Sequence, residues 1–485
     1  MDSPRSAGQT NQDPLAGIWS RLAGNAWWLF TGAAGRSLLG FLVSVYLARM
    51  LGPAQFGQVG FALAALAYFV LFTDGGLQAL GTREVAAGRD GIGLLAGRVL
   101  VLRGALTALS LLVISLGAGL FTPSADTARL LVVFGIALVP MAANLAWVFR
   151  GTERMRMVGL SELLQVGSYL ALLLLLVRGP DQLFLVPVAF IAGHLLSALL
   201  LWVGQLRNWG PPRFTAPASG HLSMLGAALP LVLTLFLHQI HFNFDTLMLG
   251  FLRGDEEVGF YNATYRIIFA VIALNTVLME AIFPTFSRLF RQGTTALRGL
   301  MRKSITISLA LALPLGVGGT ILARPLVLAL FGPEYEASAP ALQLLVWSAV
   351  LSFAGANYGY GLVACGRQKI LAWSAGAGAS VNVLLNFWLI PRYGIPGACV
   401  ATVVSQALML CCESSAFFWK VGRALPLPGL ALRALASALV MGLALVLSGG
   451  HLPVWLSVTV GGAVYATCLW LLAHRELREL LRFEG

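Results

Sequence analysis

Fourteen apolar runs follow one another along this chain, at roughly 25–48, 57–76, 99–120, 130–149, 161–178, 183–204, 223–251, 261–287, 304–323, 340–364, 370–390, 396–419, 430–448 and 453–473. Each approaches or exceeds the roughly 20 residues that an α-helix needs to cross about 30 Å of hydrocarbon. Inside hydrocarbon every backbone N–H and C=O must be bonded within the protein, and runs of this length meet that condition as helices. Composition leaves no room for another class: 11% of the 485 residues are charged and 58% are hydrophobic, where a soluble chain carries roughly 25% charged residues. The sequence therefore predicts an all-α integral membrane protein of about 14 transmembrane helices. It excludes a soluble enzyme or a nucleic-acid-binding factor, despite a net charge of +12 and a pI near 10.

Basic residues fix the expected orientation, because Lys and Arg accumulate in cytoplasmic loops. With the N-terminus inside, 23 of the 32 basic residues fall on the cytoplasmic side and six (Arg49, Arg129, Arg178, Arg253, Arg324 and Arg392) on the other. The remaining three, Arg36, Arg103 and Arg266, lie within spans. This bias predicts a multi-pass protein of the cell's inner (cytoplasmic) membrane with both termini cytoplasmic. The first run is too long for a secretory signal and has no small-residue cleavage site, so it is expected to stay in the mature protein.

No connection is long enough for a folded domain, so the work is expected inside the bilayer. The expected units are a cytoplasmic leader (1–24), an N-terminal six-helix bundle (25–204), a C-terminal six-helix bundle (223–419), an appended helix pair (430–473) and a cytoplasmic tail (474–485). Leu425-Pro-Leu-Pro-Gly429 sets the pair apart. A faint repeat supports the two bundles: Leu51-Gly52 followed by Phe56-Gly57, against Leu249-Gly250 followed by Val258-Gly259-Phe260. Six spans per half is an even number, so the halves enter the membrane in the same direction, related by an axis along its normal. Transporters built this way bind substrate between the halves.

Several chemistries lack their motifs. The dipeptide Gly-Lys of a P-loop is missing, as are H-E-x-x-H, G-x-S-x-G and paired aspartates for a metal-bound diphosphate. Cys365, Cys399, Cys411, Cys412 and Cys468 sit in or beside apolar runs without a C-x-x-C, and read as small core hydrophobes. No enzyme activity, cofactor or metal is expected.

The segment Tyr46-Leu-Ala-Arg-Met-Leu-Gly-Pro-Ala-Gln-Phe-Gly57, with Asp74-Gly-Gly-Leu77 and Thr82-Arg-Glu84, resembles the Wzx-type polysaccharide-unit flippases. These belong to the multidrug/oligosaccharidyl-lipid/polysaccharide exporter superfamily. The likeness returns at Asp245-Thr-Leu-Met-Leu-Gly250, Val258-Gly-Phe-Tyr-Asn-Ala-Thr-Tyr-Arg266, Phe331-Gly-Pro-Glu-Tyr335, Cys365-Gly-Arg367, and from Asn382 to Tyr393-Gly-Ile-Pro-Gly397, in the family's order. It covers most of residues 25–420. The resemblance implies two six-helix bundles around a central cavity, and transfer of a polyprenyl-diphosphate-linked oligosaccharide to the outer leaflet of the bilayer.

Ionisable groups inside a membrane cost at least about 2.5–3.5 kcal/mol each on insertion scales, so they usually face a cavity or a partner. Arg36, about halfway along the first run, is the expected diphosphate ligand, a role the resemblance gives to cationic residues of the first helix; a structural ion pair is the alternative. Asp245 and Arg266, placed at equal depth on consecutive antiparallel helices, are expected to form an ion pair, with a substrate or gating role as the other reading. His238, His241 and Asp245 share a helical face that could relay a proton, against ordinary core histidines. Glu280 is a candidate coupling carboxylate. Asn357, Asn382 and Asn386 are candidate sugar contacts, although helix-to-helix hydrogen bonding is the stronger reading of all three. Arg103 and Glu413, near span ends, are expected to snorkel. Pro230, Pro284 and Pro314 are candidate bending points or static kinks.

The expected function is thus a flippase for lipid-linked oligosaccharide, working beside a glycan polymerase or ligase. A drug or cation antiporter of the same superfamily would use a carboxylate-dominated cavity, against which Arg36 argues. A membrane-embedded glycan polymerase or ligase would usually carry a substantial outer loop, and no loop here is long.

Overall fold

The computed structural model describes the backbone of residues 14–88, 91–214, 218–448 and 452–481; among them there are α-helices and two short 3-10 turns but no strand. The leader and tail expected at the termini lie partly outside the described residues, as does the side chain of Pro230. In chain order the helices are α1 (Pro14–Asp74), α2 (Leu77–Ala87), α3 (Ile92–Phe121), α4 (Ala125–Gly135), α5 (Leu138–Ala142), α6 (Ala146–Gly151), α7 (Met155–Leu176) and α8 (Leu185–Trp209). There follow α9 (Ala218–Arg253), α10 (Asp255–Gln292), α11 (Thr294–Ile321), α12 (Ala323–Phe331), α13 (Ala339–Ala364), α14 (Gln368–Tyr393), α15 (Ile395–Lys420), α16 (Pro428–Leu447) and α17 (Val454–Leu481).

Among the described residues, twelve helical stretches are long and apolar enough to cross a membrane. The first, Thr31–Ala87, runs for 57 residues, about 85 Å at 1.5 Å per residue, and therefore holds two crossings. They join at Gly52, whose φ of 71° and ψ of 173° break the helix just before Pro53. The 36 residues of α9 supply the fourteenth crossing. The fourth crossing, expected as one run over 130–149, is broken into α4, α5 and α6. Its freed carbonyls at Met141 and Asn144 are bonded by the Arg103 guanidinium at 2.7 and 3.0 Å, and the Asn144 side chain accepts the Ala146 N–H. By contrast α10 and α11 continue through Pro284 and Pro314.

Burial shows how the crossings assemble. One large apolar cluster unites both halves at the end of the bundle marked by Gly52, with Leu47, Leu51, Phe56 and Phe61 against Leu249, Val258, Tyr261 and Tyr335. At the opposite end each half has its own core, Val99, Trp147, Phe149 and Leu201 in the first and Phe286, Met301, Leu362 and Phe417 in the second. A core shared at one end and divided at the other leaves a cleft between two lobes. The helix pair α16 and α17 lies against α11, where Tyr465 donates a hydrogen bond to the Ala310 carbonyl at 2.5 Å. The outside is apolar, as at Leu120 (81% exposed).

The internal repeat is real in another register. Gly254 (φ 93°, ψ 175°) turns the chain between α9 and α10 as Gly52 does within α1, and the small residues five positions later, Gly57 and Gly259, are the true equivalents. Gly250 packs against Phe61 instead. A dipeptide match is blind to the second turn lying four residues further on. The two equivalents make reciprocal contacts: a Cβ on Gly57 would lie 1.7 Å from the Asp255 carbonyl oxygen, and one on Gly259 would lie 2.0 Å from that of Pro53. Among the cysteines only Cys399 is buried; Cys411 is exposed and the other three are half-buried, which corrects the reading of all five as core. A thiol is apolar enough to face hydrocarbon as well as a core.

Candidate functional site

Three neighbouring cavities that share lining residues lie in the cleft between the lobes. The largest, about 600 Å³, lies between α1 and α10 and is lined by Arg36, Ser37, Leu38, Phe41, Thr276 and Glu280. A second, about 200 Å³, also reaches Arg36 and is walled by Gln165, Tyr169, Phe190 and His194, with Arg266 on its far side. Arg266 also borders the third, about 240 Å³, with Asn243, Thr246 and Asn262. Arg36, widely separated in sequence from both, therefore borders one cavity with Glu280 and another with Arg266.

Arg36 is 54% exposed and sits 3.9 Å from Glu162, a carboxylate already bonded at 3.0 Å by Arg150. That pairing is long and shared, so much of the guanidinium faces the cavity. Counting 1.5 Å per residue from the glycine turns, Arg36 lies about 24 Å below Gly52 and Arg266 about 18 Å below Gly254. The two cations form successive steps along the cleft, Arg36 lower.

The expected Asp245–Arg266 ion pair does not form. Asp245 is fully buried and accepts hydrogen bonds from Tyr261 (2.5 Å), Thr402 (2.8 Å) and Asn386 (3.0 Å), and Asn386 also bonds the Asn382 side chain at 3.0 Å. Two geometric facts separate the charges. The stretch expected as a loop over 252–260 is mostly helix, so Asp245 lies only about 13 Å below the Gly254 turn, higher than Arg266. In addition, Arg266 follows Tyr261 by five residues, about 140° around the helix, and points to the cleft while Tyr261 points to Asp245.

Asn382 and Asn386 thus belong to a network sealed inside the second lobe, in which Asn382 Nδ2 and Asn386 Oδ1 are left unbonded. Asn357 does likewise, bonding Ser304 at 2.5 Å, Ser308 at 2.9 Å and the Phe353 carbonyl at 2.8 Å with no exposure. The helix-to-helix reading describes all three in this conformation. Along the α9 stripe, His238 borders a cavity with Asp74 and Gln78, whereas His241 is 1% exposed with Nδ1 unbonded and Asp245 is sealed. Neither expected snorkeller reaches water. Arg103 is 3% exposed and pairs with Asp74 at 3.6 Å, and Glu413 is 8% exposed with the Ser374 hydroxyl at 3.3 Å. Each finds a partner on a neighbouring helix at its own depth, which a one-dimensional reading cannot see.

Glu162, Gln165, Tyr169 and His194 are not singled out by the sequence. Glu162 opens an apolar run and so resembles a terminal residue, yet its spacing of three from Gln165 and seven from Tyr169 places them on one helical face.

Known proteins agree with this architecture. The family model described as "Polysaccharide biosynthesis protein" matches residues 22–290, and a model named MatE matches residues 230–388. A putative O-antigen transporter of Shigella dysenteriae is 23% identical over 79% of this chain and 96% of its own. A probable flippase of Haloferax volcanii is 29% identical, but over 34% of this chain and 35% of its own. Among solved structures, the lipid II flippase MurJ in an inward closed conformation superposes with a TM-score of 0.76, covering 94% of this chain and all of that one at 14% identity. With fold, charge placement and a family match over more than half its length in agreement, the chain belongs to the polysaccharide biosynthesis protein family.

Proposed function

We propose that this protein is a flippase that carries polyprenyl-diphosphate-linked oligosaccharide from the inner to the outer leaflet for cell-surface polysaccharide synthesis. One observation carries the reading: Arg36 and Arg266 face a shared cleft at successive depths, and neither is neutralised by a carboxylate of its own there. A phosphate about 4 Å from an arginine gains roughly 4 kcal/mol at an effective dielectric near 20, before desolvation is subtracted. The cleft substitutes these fixed donors for the water a diphosphate would lose in hydrocarbon. The lipid tail need not enter, because the cavity between α1 and α10 has an apolar rim at Leu38 (62% exposed) and Leu274 (63%). The relatives named as flippases and O-antigen transporters support the same substrate class.

The positive cleft also weighs against an antiporter of drugs or cations, which would need carboxylates where the two arginines stand. Outward movement of an anion is favoured by an inside-negative potential, by about 2.3 kcal/mol per charge per 100 mV. Asp245, His241 and Glu280 are the groups proposed for coupling or gating. The Gly52 end is assigned to the outside, with both termini in the cytoplasm of a cell whose inner membrane holds the protein. Lys420 stacking on Trp419 at the opposite end fits an inner-interface anchor. The delivered unit then passes to a glycan polymerase or ligase.

Glycan export in cells lacking the native transporter tests the site. Arg36→Ala should abolish export with membrane abundance intact, and Arg36→Lys should keep part of it, since the charge persists without the two-pronged geometry. Full export by Arg36→Ala would remove this residue from the substrate path; disappearance of the protein would make it a structural partner of Glu162. Topology is tested separately. Reporter fusions after residue 255 should read outside and after residue 295 inside, and the reverse would overturn the assignment.

A further inference from the structure

The cavity of about 200 Å³ behind Arg36 contains more polar equipment than a diphosphate requires. Gln165 and Tyr169 stand one turn apart on α7, and Phe190 and His194 one turn apart on α8. The two pairs interlock: Gln165 Nε2 and His194 Nε2 are 3.1 Å apart, and the Phe190 ring meets His194 and Tyr169 edge-on at 4.5 and 5.4 Å. Gly193 permits this approach, since a Cβ there would lie 2.6 Å from the Gln165 carbonyl oxygen. Yet the cluster is incomplete. The Tyr169 side chain is nine-tenths buried and lines the cavity, but its hydroxyl has no hydrogen-bond partner. On the other side of Arg266 the Asn262 Nδ2 is also unbonded.

A buried hydroxyl normally finds a partner, so an unpaired one on a residue that lines a cavity points to a ligand's polar group reaching it when the site is filled. The chemistry of the wall narrows that ligand. It offers an amide, an imidazole and a phenol, which donate and accept, beside aromatic rings that suit C–H faces. Its charged lining residues are both arginines, so a cationic group is disfavoured. The volume equals that of roughly seven water molecules at ~30 Å³ each, room for one sugar ring rather than a chain of them. We infer that Gln165, Tyr169 and His194 form a subsite for the sugar joined directly to the diphosphate, Phe190 holding the three in place. The inference rests on the proposed function, because Arg36 and Arg266 must hold the diphosphate at the subsite's edge. Specificity would then be set at the reducing-end sugar, and the outer sugars would extend into the larger cavity.

Binding to the purified full-length protein in lipid nanodiscs tests this, with bare undecaprenyl diphosphate compared against undecaprenyl diphosphates bearing a single hexose or a single N-acetylhexosamine. At least one single-sugar lipid should bind about tenfold more tightly than the bare lipid. Tyr169→Phe, which removes one oxygen, and Gln165→Ala should bring that ratio close to one, while Arg36→Ala should weaken all the lipids and leave the ratio in place. An unchanged ratio in both subsite variants would overturn the inference, as would equal loss for bare and sugar-bearing lipids or a wild type that does not discriminate. If Arg36→Ala and Arg266→Ala bind every lipid as the wild type does, it is the diphosphate site, and with it the flippase reading, that fails.

Discussion

Two polar regions inside the membrane, one around Asp245 in the second lobe and one around Arg36 in the first, are treated in opposite ways. Asp245 is sealed and takes hydrogen bonds from Tyr261, Thr402 and Asn386, although Asn382 Nδ2 and Asn386 Oδ1 beside it stay unbonded. In the first lobe Arg36 keeps half its surface open, and Tyr169 is buried beside the cavity without a partner. Polarity in a transmembrane helix therefore has two meanings. A buried carboxylate met by donors from neighbouring helices joins those helices, whereas a guanidinium left half open to a cavity is available to a ligand. The first lobe is thus the better place to seek substrate contacts, and the second the better place to seek stability and the mechanical link between states.

Removing the centre of the sealed network should give the largest effect on stability. Asp245→Ala leaves the Tyr261, Thr402 and Asn386 donors without their acceptor, and at about 1 kcal/mol each this predicts a loss near 3 kcal/mol, visible as a lower melting temperature in detergent. A variant that melts like the wild type would mean the second lobe is not sealed as described.

The contact between lobes offers a test of intermediate size. Gly57→Ala would drive a methyl group into the Asp255 carbonyl and force the lobes apart at the Gly52 end. A cysteine placed at Leu51, now 4% exposed, should then react several-fold faster with an external thiol reagent in a cysteine-free background. Asp255 adds a second tie across this seal, its carboxylate taking hydrogen bonds from Gln58 (3.1 Å) and Ser124 (3.0 Å) of the first lobe. No change in reactivity would show that the seal does not hold the lobes together.

The smallest expected effect is an absence of coupling. Because Asp245 and Arg266 face different surroundings, Asp245→Asn and Arg266→Gln should be additive in stability to within about 0.5 kcal/mol. A larger interaction term would restore the ion pair that the sequence suggests and the geometry separates.

Much of the architecture is legible in the sequence because hydrocarbon imposes it. Length and apolarity set the fourteen crossings, and the cost of burying charge singles out Arg36, Asp245, Arg266 and Glu280. Which of them meet is not legible there. Depth along a helix can be counted, but azimuth depends on where the helix starts and which neighbour it rests on, and an error of one residue turns a side chain by about 100°. So Arg103 and Glu413 have the sequence positions of surface-seeking groups while each is buried with a partner on another helix, and Glu162 stands at the start of a run while it pairs with two arginines.

The sequence by itself determined that this chain lies in a membrane, crosses it fourteen times and carries a few charged residues within its spans, because those outcomes follow from transfer energies that act on each residue separately. Tertiary structure alone decided that Arg36 and Arg266 border one cavity, that Asp245 is sealed in the second lobe, and that Gly57 meets Asp255. Those outcomes depend on the packing of whole helices, in which a turn displaced by four residues or a glycine that admits another backbone changes every partner at once.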